Sequence, residues 1–270
     1  MWKNHTFTLK KREKITKTWQ INIDIDNTII FLDEIQVSER AISLLKYFCE
    51  SDKIYKIVCA GSLLGVKINI FKSSFPVRKV WIDYLYPMNF SEFLKAIGEE
   101  KILKLIEKSY KNMEPMLEPT HEKALKLYND YLCIGGMPAS ILNCIENEKS
   151  VLKFNDKIIN IIITLYLADM AKYTENTESI KNSKIYNSIP LQLGGQNQKF
   201  KYSLVEKSAR SREYESSLEW LISSNMILKC QGIKKPESPL KVNVDTNFKI
   251  FLSDIGILRV LAKIEKNEII

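Results

Sequence analysis

The part of the sequence that most restricts the fold is residues 28–36, where an apolar run leads directly into Asp33 and Glu34. The run contains Ile29, Ile30, Phe31 and Leu32, and three of these four side chains are β-branched or aromatic. A short apolar run of this kind is typical of a strand that is buried in a parallel sheet. We therefore predict a strand over residues 28–32, with both carboxylates at the carboxyl-terminal edge of the sheet.

Strands and helices alternate in the first third of the chain. Further apolar runs predict strands over residues 54–59 and 80–85, and residues 41–48 carry apolar side chains at positions i, i+3, i+4 and i+7 of a helix. This alternation predicts an α/β fold with three parallel strands.

The rest of the chain is predicted to be helical at first and then mixed. Helices are predicted over residues 91–112, 120–134, 138–147 and 150–172. A Gly- and Gln-rich loop over 191–198 is followed by predicted helices over 200–207 and 212–224 and predicted strands over 226–231 and 248–252. A helix–turn–helix followed by a hairpin is the outline of a winged helix.

Two adjacent carboxylates at a strand end suit a site that holds Mg²⁺ and a phosphate. In P-loop nucleoside triphosphatases the first acid holds Mg²⁺ and the second can polarise the attacking water. These enzymes also need a G-x-x-x-x-G-K-[ST] loop before that strand, because backbone N–H groups and a lysine must surround the phosphates. This sequence has no glycine before Gly61 and no Gly-Lys pair. An acidic pair also favours a helix start, so the pair alone does not decide between the two interpretations.

Two features at the ends of the following strands favour the nucleotide interpretation. Ser62 follows the second predicted strand, where such ATPases place a polar group that contacts the γ-phosphate or the attacking water. Arg78 and Lys79 open the third predicted strand, where a cation can face a phosphate from a neighbouring subunit. Residues 61–67 have the spacing G-x-x-x-G-x-K after the acidic strand, which predicts a turn and not a phosphate loop.

The formal charge of +8 suggests an anionic partner, but its distribution does not favour a sequence-specific DNA reader. Residues 1–19 hold six basic side chains against one acid, and we expect this head to be poorly ordered. Lys207, Arg210 and Arg212 form a basic cluster beside the predicted helix–turn–helix, but the following helix carries three glutamates that repel a phosphate backbone. A solvated or protein-facing surface is therefore favoured over DNA.

Other chemistries have little material in this sequence. The sequence contains two histidines, His5 and His121, so a zinc site built from histidines or a Ser-His-Asp triad is not favoured. The five cysteines show no C-x-x-C spacing, which favours free thiols in a reducing cytoplasm. The most apolar stretch, residues 158–168, is too short to span a bilayer, so we expect no membrane association.

The order of the motifs resembles the prokaryotic AAA+-type ATP-binding proteins. The resemblance is carried by FLDEIQ, VCAGSLLGV and SSFPVRKVWIDYLYPMNFSEFL, then by YLCIGGMPAS, SIPLQL, KFKYSLVEK, WLISSNMI and FKIFLSDIGIL. It covers most of residues 28–261 and matches members that carry a C-terminal domain of unknown function. It implies a partial parallel P-loop NTPase sheet, followed by a helical lid region and a winged-helix-like segment.

The resemblance also implies roles for particular residues. Asp33 and Glu34 stand at the Walker B positions, with Asp33 holding Mg²⁺ through water and Glu34 acting on the attacking water. Ser62 stands at the sensor-1 position beside the nucleotide. Lys79 falls near a position where relatives often have a basic residue, and Arg78 stands where many have glycine.

The resemblance further implies how this chain relates to its longer relatives. Such relatives begin with a phosphate-binding loop well before the acidic pair and continue into a nuclease-like domain. We therefore expect this chain to be an internal portion of the family, with a basic head over 1–27 and a partial ATPase core over 28–90. A helical lid region over 91–175 and a winged-helix-like segment with the start of the C-terminal domain over 176–270 should follow.

The predicted function is that of a fragment of an AAA-family ATPase. The full-length family uses ATP and Mg²⁺, and we expect this chain not to bind ATP productively by itself. The alternative is a non-catalytic module that binds nucleic acid or protein through the winged-helix-like segment. Expected partners are a second copy of the chain or another protein, with DNA bound only weakly and without sequence preference.

Overall fold

A computed structural model describes residues 24, 26–51, 54–61, 79–233, 237–238 and 248–270. The chain divides into two compact units, Met1–Tyr84 and Leu85–Ile270. Each unit has its own secondary structure and is described separately below.

The first unit is built on a pair of parallel strands. β1 (Ile29–Leu32) pairs with β2 (Lys56–Cys59), and the register sets Leu32 opposite Cys59. A short 3₁₀ turn (Ile35–Val37) and α1 (Glu39–Cys49) connect the two strands. The predicted strand–helix–strand order is therefore confirmed for this part of the chain.

One face of the parallel pair is covered by the connecting segment. Ile42 on α1 is fully buried and belongs to a small core with Ile35, against which Leu32, Leu45 and Cys59 pack. The side chain of Ser38 accepts a hydrogen bond from the N–H of Ala41, which fixes where α1 begins.

The strand predicted over residues 80–85 does not form. Residues 81–89 have no regular secondary structure, and the side chains of Trp81 and Leu85 are 89% and 100% exposed. The indole N–H of Trp81 donates to the carboxylate of Asp83 at 3.1 Å, a contact between exposed side chains two residues apart. An apolar run predicts a strand only where neighbouring elements cover it, and here the described residues provide no such cover.

The second unit is mainly helical. Its helices are α2 (Phe90–Ala96), α3 (Glu100–Asn112), α4 (Glu118–Ile134), α5 (Pro138–Glu146), α6 (Lys157–Tyr173), α7 (Asn176–Leu193), α8 (Tyr202–Val205), α9 (Ser211–Ser223) and α10 (Ile255–Leu261). The strands β3 (Ile227–Gln231) and β4 (Phe248–Leu252) pair antiparallel, and a 3₁₀ turn (Lys266–Glu268) lies near the end. In the part of the chain that the structure describes, no helix combines the length and the apolar character needed to cross a bilayer.

Several of these bounds differ from the predicted ones. The helix predicted over 91–112 is divided into α2 and α3, and Gly98 between them has φ of +80°, a conformation that favours glycine. The helix predicted from residue 150 begins only at Lys157. The loop predicted from residue 191 overlaps the end of α7, whose buried face includes the polar side chains of Asn182, Ser188 and Gln192. These polar residues interrupt the apolar periodicity on which a sequence prediction depends.

The loop between α4 and α5 joins distant parts of the second unit. The N–H of Gly136 donates to the carboxylate of Asp254 at 2.6 Å, and the same carboxylate caps α10 through the N–H of Ile257 at 2.9 Å. The N–H of Met88 donates to the carbonyl of Gly136 at 2.8 Å, and a Cβ at Gly136 would overlap the backbone of Met88. Burial raises the pKa of Asp254, although these backbone donors oppose the shift.

A buried cation links α10 to the same region. Arg259 is 3% exposed, and its Nε donates to the carbonyl of Cys133 at 2.9 Å. Its guanidinium forms an ion pair with Asp156, the residue before α6, and donates to the carbonyl of Ile264 at 3.2 Å. Arg259 therefore connects α4, the start of α6 and the end of the chain.

Candidate functional site

Asp33 and Glu34 lie at the carboxyl-terminal edge of the parallel pair. The N–H of Ala60 donates to the carbonyl of Leu32 at 2.9 Å, and the N–H of Ile35 donates to the carbonyl of Ala60 at 3.1 Å. These bonds continue the pairing past the ends of both strands, so the chain after β2 runs beside the two acids. Both acidic side chains are exposed to solvent.

The Glu34 carboxylate is oriented by its own backbone and by a buried amide. Glu34 has φ of +50°, which is uncommon for a residue with a side chain. Its N–H donates to Oδ1 of Asp33 at 3.0 Å, and Nε2 of Gln36 donates to Oε2 of Glu34 at 2.6 Å. Gln36 is only 2% exposed, so packing fixes the amide while the carboxylate that it holds faces solvent.

Gln36 is a site residue that the sequence analysis did not single out. Its Oε1 is buried and has no hydrogen-bond partner among the described residues, although buried amide oxygens are usually paired. The only signal in the sequence is its position two residues after Glu34, and this spacing does not by itself place the amide against the carboxylate.

The other predicted nucleotide-site residues are not brought to this edge by the described contacts. Ser62 and Arg78 lie outside the described residues, and their roles remain predictions. Lys79 forms an ion pair with Glu50, which follows the last residue of α1, and this bond lowers the pKa of Glu50. Because α1 has 11 residues, it spans about 16 Å, and Lys79 is held beside the end of the helix that is remote from the acidic pair.

The oxygen atoms of the acidic pair suit a magnesium ion. Mg²⁺ is usually bound by one or two carboxylates together with waters and substrate phosphates. Oδ1 of Asp33 accepts a backbone bond and Oε2 of Glu34 accepts the Gln36 bond, and their second oxygens form no hydrogen bond with a described residue. No group of three or more His, Cys, Asp or Glu side chains within the described ranges is placed to hold a metal ion. The pair therefore fits a cation that takes most of its ligands from water and phosphate.

The predicted nucleic-acid candidates lie around the turn between α8 and α9. Lys207, Arg210 and Arg212 are all exposed, and none of them forms an ion pair with a described residue. The core-facing side of α9 includes Tyr214, Leu218 and Leu221, which are buried. The exposed surface of α9 is left to its glutamates, one of which, Glu219, pairs with Lys229 at 3.4 Å.

A half-open pocket in the second unit is lined by side chains of α2, α4 and α5. Its apolar floor includes Phe93 and Ile134, and lysines stand at its rim. Two of these lysines already have internal partners, because Lys123 pairs with Glu99 at 2.7 Å and Lys149 donates to the carbonyl of Ile97 at 2.5 Å. Two of the lysines that could bind a ligand in this pocket are therefore already paired within the unit, and we assign the pocket no ligand.

Comparison with known families adds to this geometry. The profile of a family described as a domain of unknown function, DUF8612, matches residues 125–268, which are 144 of the 270 residues. The chain belongs to this family. The profile of an AAA domain matches residues 3–94, the region that contains β1, β2 and the acidic pair. The resemblance to AAA-type ATP-binding proteins with a C-terminal domain of unknown function is thereby supported at the level of the P-loop ATPase class.

Comparisons with individual proteins add less. No curated protein matches this member of the DUF8612 family. Among solved structures, a Walker-type ATPase of Pyrococcus abyssi is similar over 94% of this chain and 76% of its own, with 13% sequence identity and a TM-score of 0.49.

Proposed function

We propose that the chain carries the part of an AAA-type ATPase site that handles Mg²⁺ and the attacking water, and that it does not bind ATP productively by itself. The observation that supports this most is the placement of Asp33 and Glu34 at the carboxyl-terminal edge of a parallel strand pair, within residues that match an AAA domain. Ligands in open α/β sheets bind outside this edge.

The two carboxylates have different roles in the proposed site. Asp33 holds Mg²⁺ through a water, and when bound the ion neutralises the charge of the phosphates. Glu34 takes up the proton of the attacking water or polarises it, and the 2.6 Å bond from Gln36 to Oε2 leaves Oε1 for the water. Gln36 is a positioning residue in this proposal, because it acts on Glu34 and not on the reacting atoms.

In this proposal the phosphates of ATP are bound by a phosphate loop, and these 270 residues contain no recognisable loop of that kind. No G-x-x-x-x-G-K-[ST] pattern occurs in the sequence, so the triphosphate meets no pre-organised set of backbone donors. We assign Ser62 to the γ-phosphate or the water, and Arg78 and Lys79 to a phosphate of a neighbouring subunit. For Lys79 this role requires its ion pair with Glu50 to open.

We further infer that the helices α8 and α9 with β3 and β4 form a winged-helix-like module that contacts protein. The support is the order of two helices followed by an antiparallel pair, together with the packing of α9 and β4 on α7. The alternative, a nucleic-acid module, is favoured only by the exposed Lys207, Arg210 and Arg212. The glutamates exposed on α9 oppose it.

The test of the proposed function is to supply the missing phosphate loop. The strand and phosphate loop of an AAA-domain relative would be joined to the N-terminus of this chain, and phosphate release from Mg·ATP would be measured. We expect turnover at least about a hundredfold above that of the chain alone, the scale that positioned acid–base groups contribute.

The matched control is the same fusion with the loop lysine changed to alanine, which should return the rate to that of the chain alone. A fusion that binds Mg·ATP and releases no phosphate would contradict the proposed roles of Asp33 and Glu34.

A further inference from the structure

The helix α3 carries four lysines on one side. Lys101, Lys104, Lys108 and Lys111 stand at positions i, i+3, i+7 and i+10, which at about 100° per residue places them within an arc of about 80°. All four side chains are exposed. We call these four residues the lysine stripe.

The four lysines of the stripe have no fixed partner in the described part of the chain. None of the four side chains forms an ion pair or a hydrogen bond with a described residue. Glu100 and Glu107 each stand four residues before a stripe lysine, yet neither approaches it within ion-pair distance. Other lysines of the same unit are paired, such as Lys184 with Glu206 at 2.9 Å. The stripe therefore offers four positive charges to an external partner.

The opposite side of α3 bears on whether the partner is an anionic membrane or a nucleic acid. Ile102 and Leu103 are 6% and 5% exposed, so the apolar face of the helix is used in the core of the unit. A helix that binds a bilayer surface must bury its apolar face among the lipids. On α3, Leu105 and Tyr110 are also exposed, at 43% and 82%, but they stand about 140° apart around the helix and form no continuous apolar face beside the stripe. The stripe therefore suits a phosphate backbone better than a membrane.

The length of the lysine stripe matches a run of phosphates. Lys101 and Lys111 are ten residues apart on α3, which corresponds to about 15 Å along the helix. Double-helical DNA carries one phosphate charge for about every 1.7 Å of its axis when both strands are counted, so a length of about 15 Å holds about nine phosphates. Four flexible lysine side chains can each reach one of these phosphates without following a single strand around the duplex.

We infer that the lysine stripe of α3 is a binding surface for the phosphate backbone of a nucleic acid. Its four lysines are flexible point charges that suit phosphate oxygens, so it binds without sequence preference. The surface is distinct from the cluster of Lys207, Arg210 and Arg212, and its charge does not depend on the proposed ATPase site.

The test compares the full chain with a variant in which all four stripe lysines are changed to glutamine. Binding to a fluorescent 30-base-pair DNA is followed by anisotropy between about 50 and 200 mM salt. The slope of log K against log salt is negative, and each lost phosphate contact makes it shallower by about 0.9. We therefore expect the slope of the variant to be shallower by about 3 to 4 units. We also expect binding at 50 mM salt to weaken at least about tenfold.

The matched control removes the same charge elsewhere on the second unit. It changes four exposed lysines that form no ion pair with a described residue, namely Lys95, Lys126, Lys157 and Lys263, to glutamine. We expect its slope to change by less than about 1 unit. If this control weakens DNA binding as much as the stripe variant does, net charge alone explains the effect and the inference is wrong.

Two further measurements test for unfolding of the quadruple variant and for membrane binding. The four single lysine-to-glutamine variants should each make the slope shallower by about 0.9, which excludes unfolding of the quadruple variant as the cause. Vesicles with an anionic lipid fraction serve as the membrane probe. Absence of DNA binding by the unchanged chain, or a larger loss of vesicle binding than of DNA binding, would overturn the inference.

Discussion

Replacement of Glu34 by glutamine in the fusion that carries a phosphate loop is expected to abolish most of the turnover while sparing nucleotide binding. Glutamine keeps the size and the hydrogen-bonding shape of the side chain but cannot take up a proton from water. Positioned acid–base groups contribute about 10²–10⁴-fold to rate, so we expect kcat to fall by that factor. The dissociation constant for Mg·ATP should stay within about threefold, because the phosphates are held by other groups.

The control for this substitution is Glu39→Gln. Glu39 is an exposed carboxylate in the first turn of α1, five residues after Glu34, and it belongs to no predicted site. Its loss should leave kcat within about twofold, which separates a local change of charge from the loss of the water-activating group. Equal turnover of the fusion with and without Glu34→Gln would show that the role assigned to Glu34 is wrong.

Replacement of Arg259 by methionine is expected to cause the largest loss of stability in the second unit. Methionine fills a similar volume but leaves the Asp156 carboxylate without its main partner and removes the 2.9 Å hydrogen bond to the carbonyl of Cys133. Removal of one partner from a buried ion pair costs about 3–5 kcal/mol, and the lower end applies here because Asp156 is 33% exposed and keeps Lys266 at 3.7 Å. The free energy of unfolding should fall by this amount in a urea titration followed by circular dichroism at 222 nm, where the helices of this unit contribute strongly.

Two comparisons assign this loss to the buried pair. Arg212→Met removes an exposed guanidinium on α9 and should change the free energy of unfolding by less than about 0.5 kcal/mol. Addition of Asp156→Asn to Arg259→Met removes the carboxylate charge, which then has only Lys266 at 3.7 Å as a partner, and should recover part of the lost stability. If the free energy of unfolding of Arg259→Met lies within about 1 kcal/mol of that of the unchanged chain, this account of the contacts of Arg259 is wrong.

The parts of the fold that could be predicted are those determined by residues close together in the sequence. The run from Ile29 to Leu32 forms a strand because its backbone pairs in register with that of Lys56–Cys59 and the connecting segment packs against the pair. The position of the acidic pair follows from that strand, so the candidate site was predictable as far as Asp33 and Glu34. The antiparallel pair near the end was predictable for the same reason, and β4 has the predicted bounds.

The parts that could not be predicted depend on contacts between distant residues or on unusual backbone conformations. The helix α7 carries little apolar periodicity, because Asn182 and Ser188 stand on its buried face. The apolar run at 80–85 lacks a covering element in the described residues. The bond between Gln36 and Glu34 requires the left-handed backbone of Glu34, and no pattern of residue types indicates that conformation.

The same distinction applies to Lys79. Its place beside Arg78 suggested a cation that faces a phosphate, whereas the structure pairs it with Glu50 across 29 residues of sequence. A sequence pattern cannot show which of several acids a long, flexible lysine side chain meets. The proposed role of Lys79 in a neighbouring subunit's site therefore predicts that Glu50 releases it when subunits assemble.

The most direct test of the central claim is a calorimetric titration of Mg·ATP into two proteins, the chain by itself and the fusion with a phosphate loop. The claim is that the edge beside Asp33 and Glu34 handles the metal and the water, while a loop absent from these 270 residues holds the phosphates. We predict no measurable binding by the chain alone at millimolar nucleotide and sub-millimolar binding by the fusion. A sub-millimolar dissociation constant for the chain alone would contradict the claim.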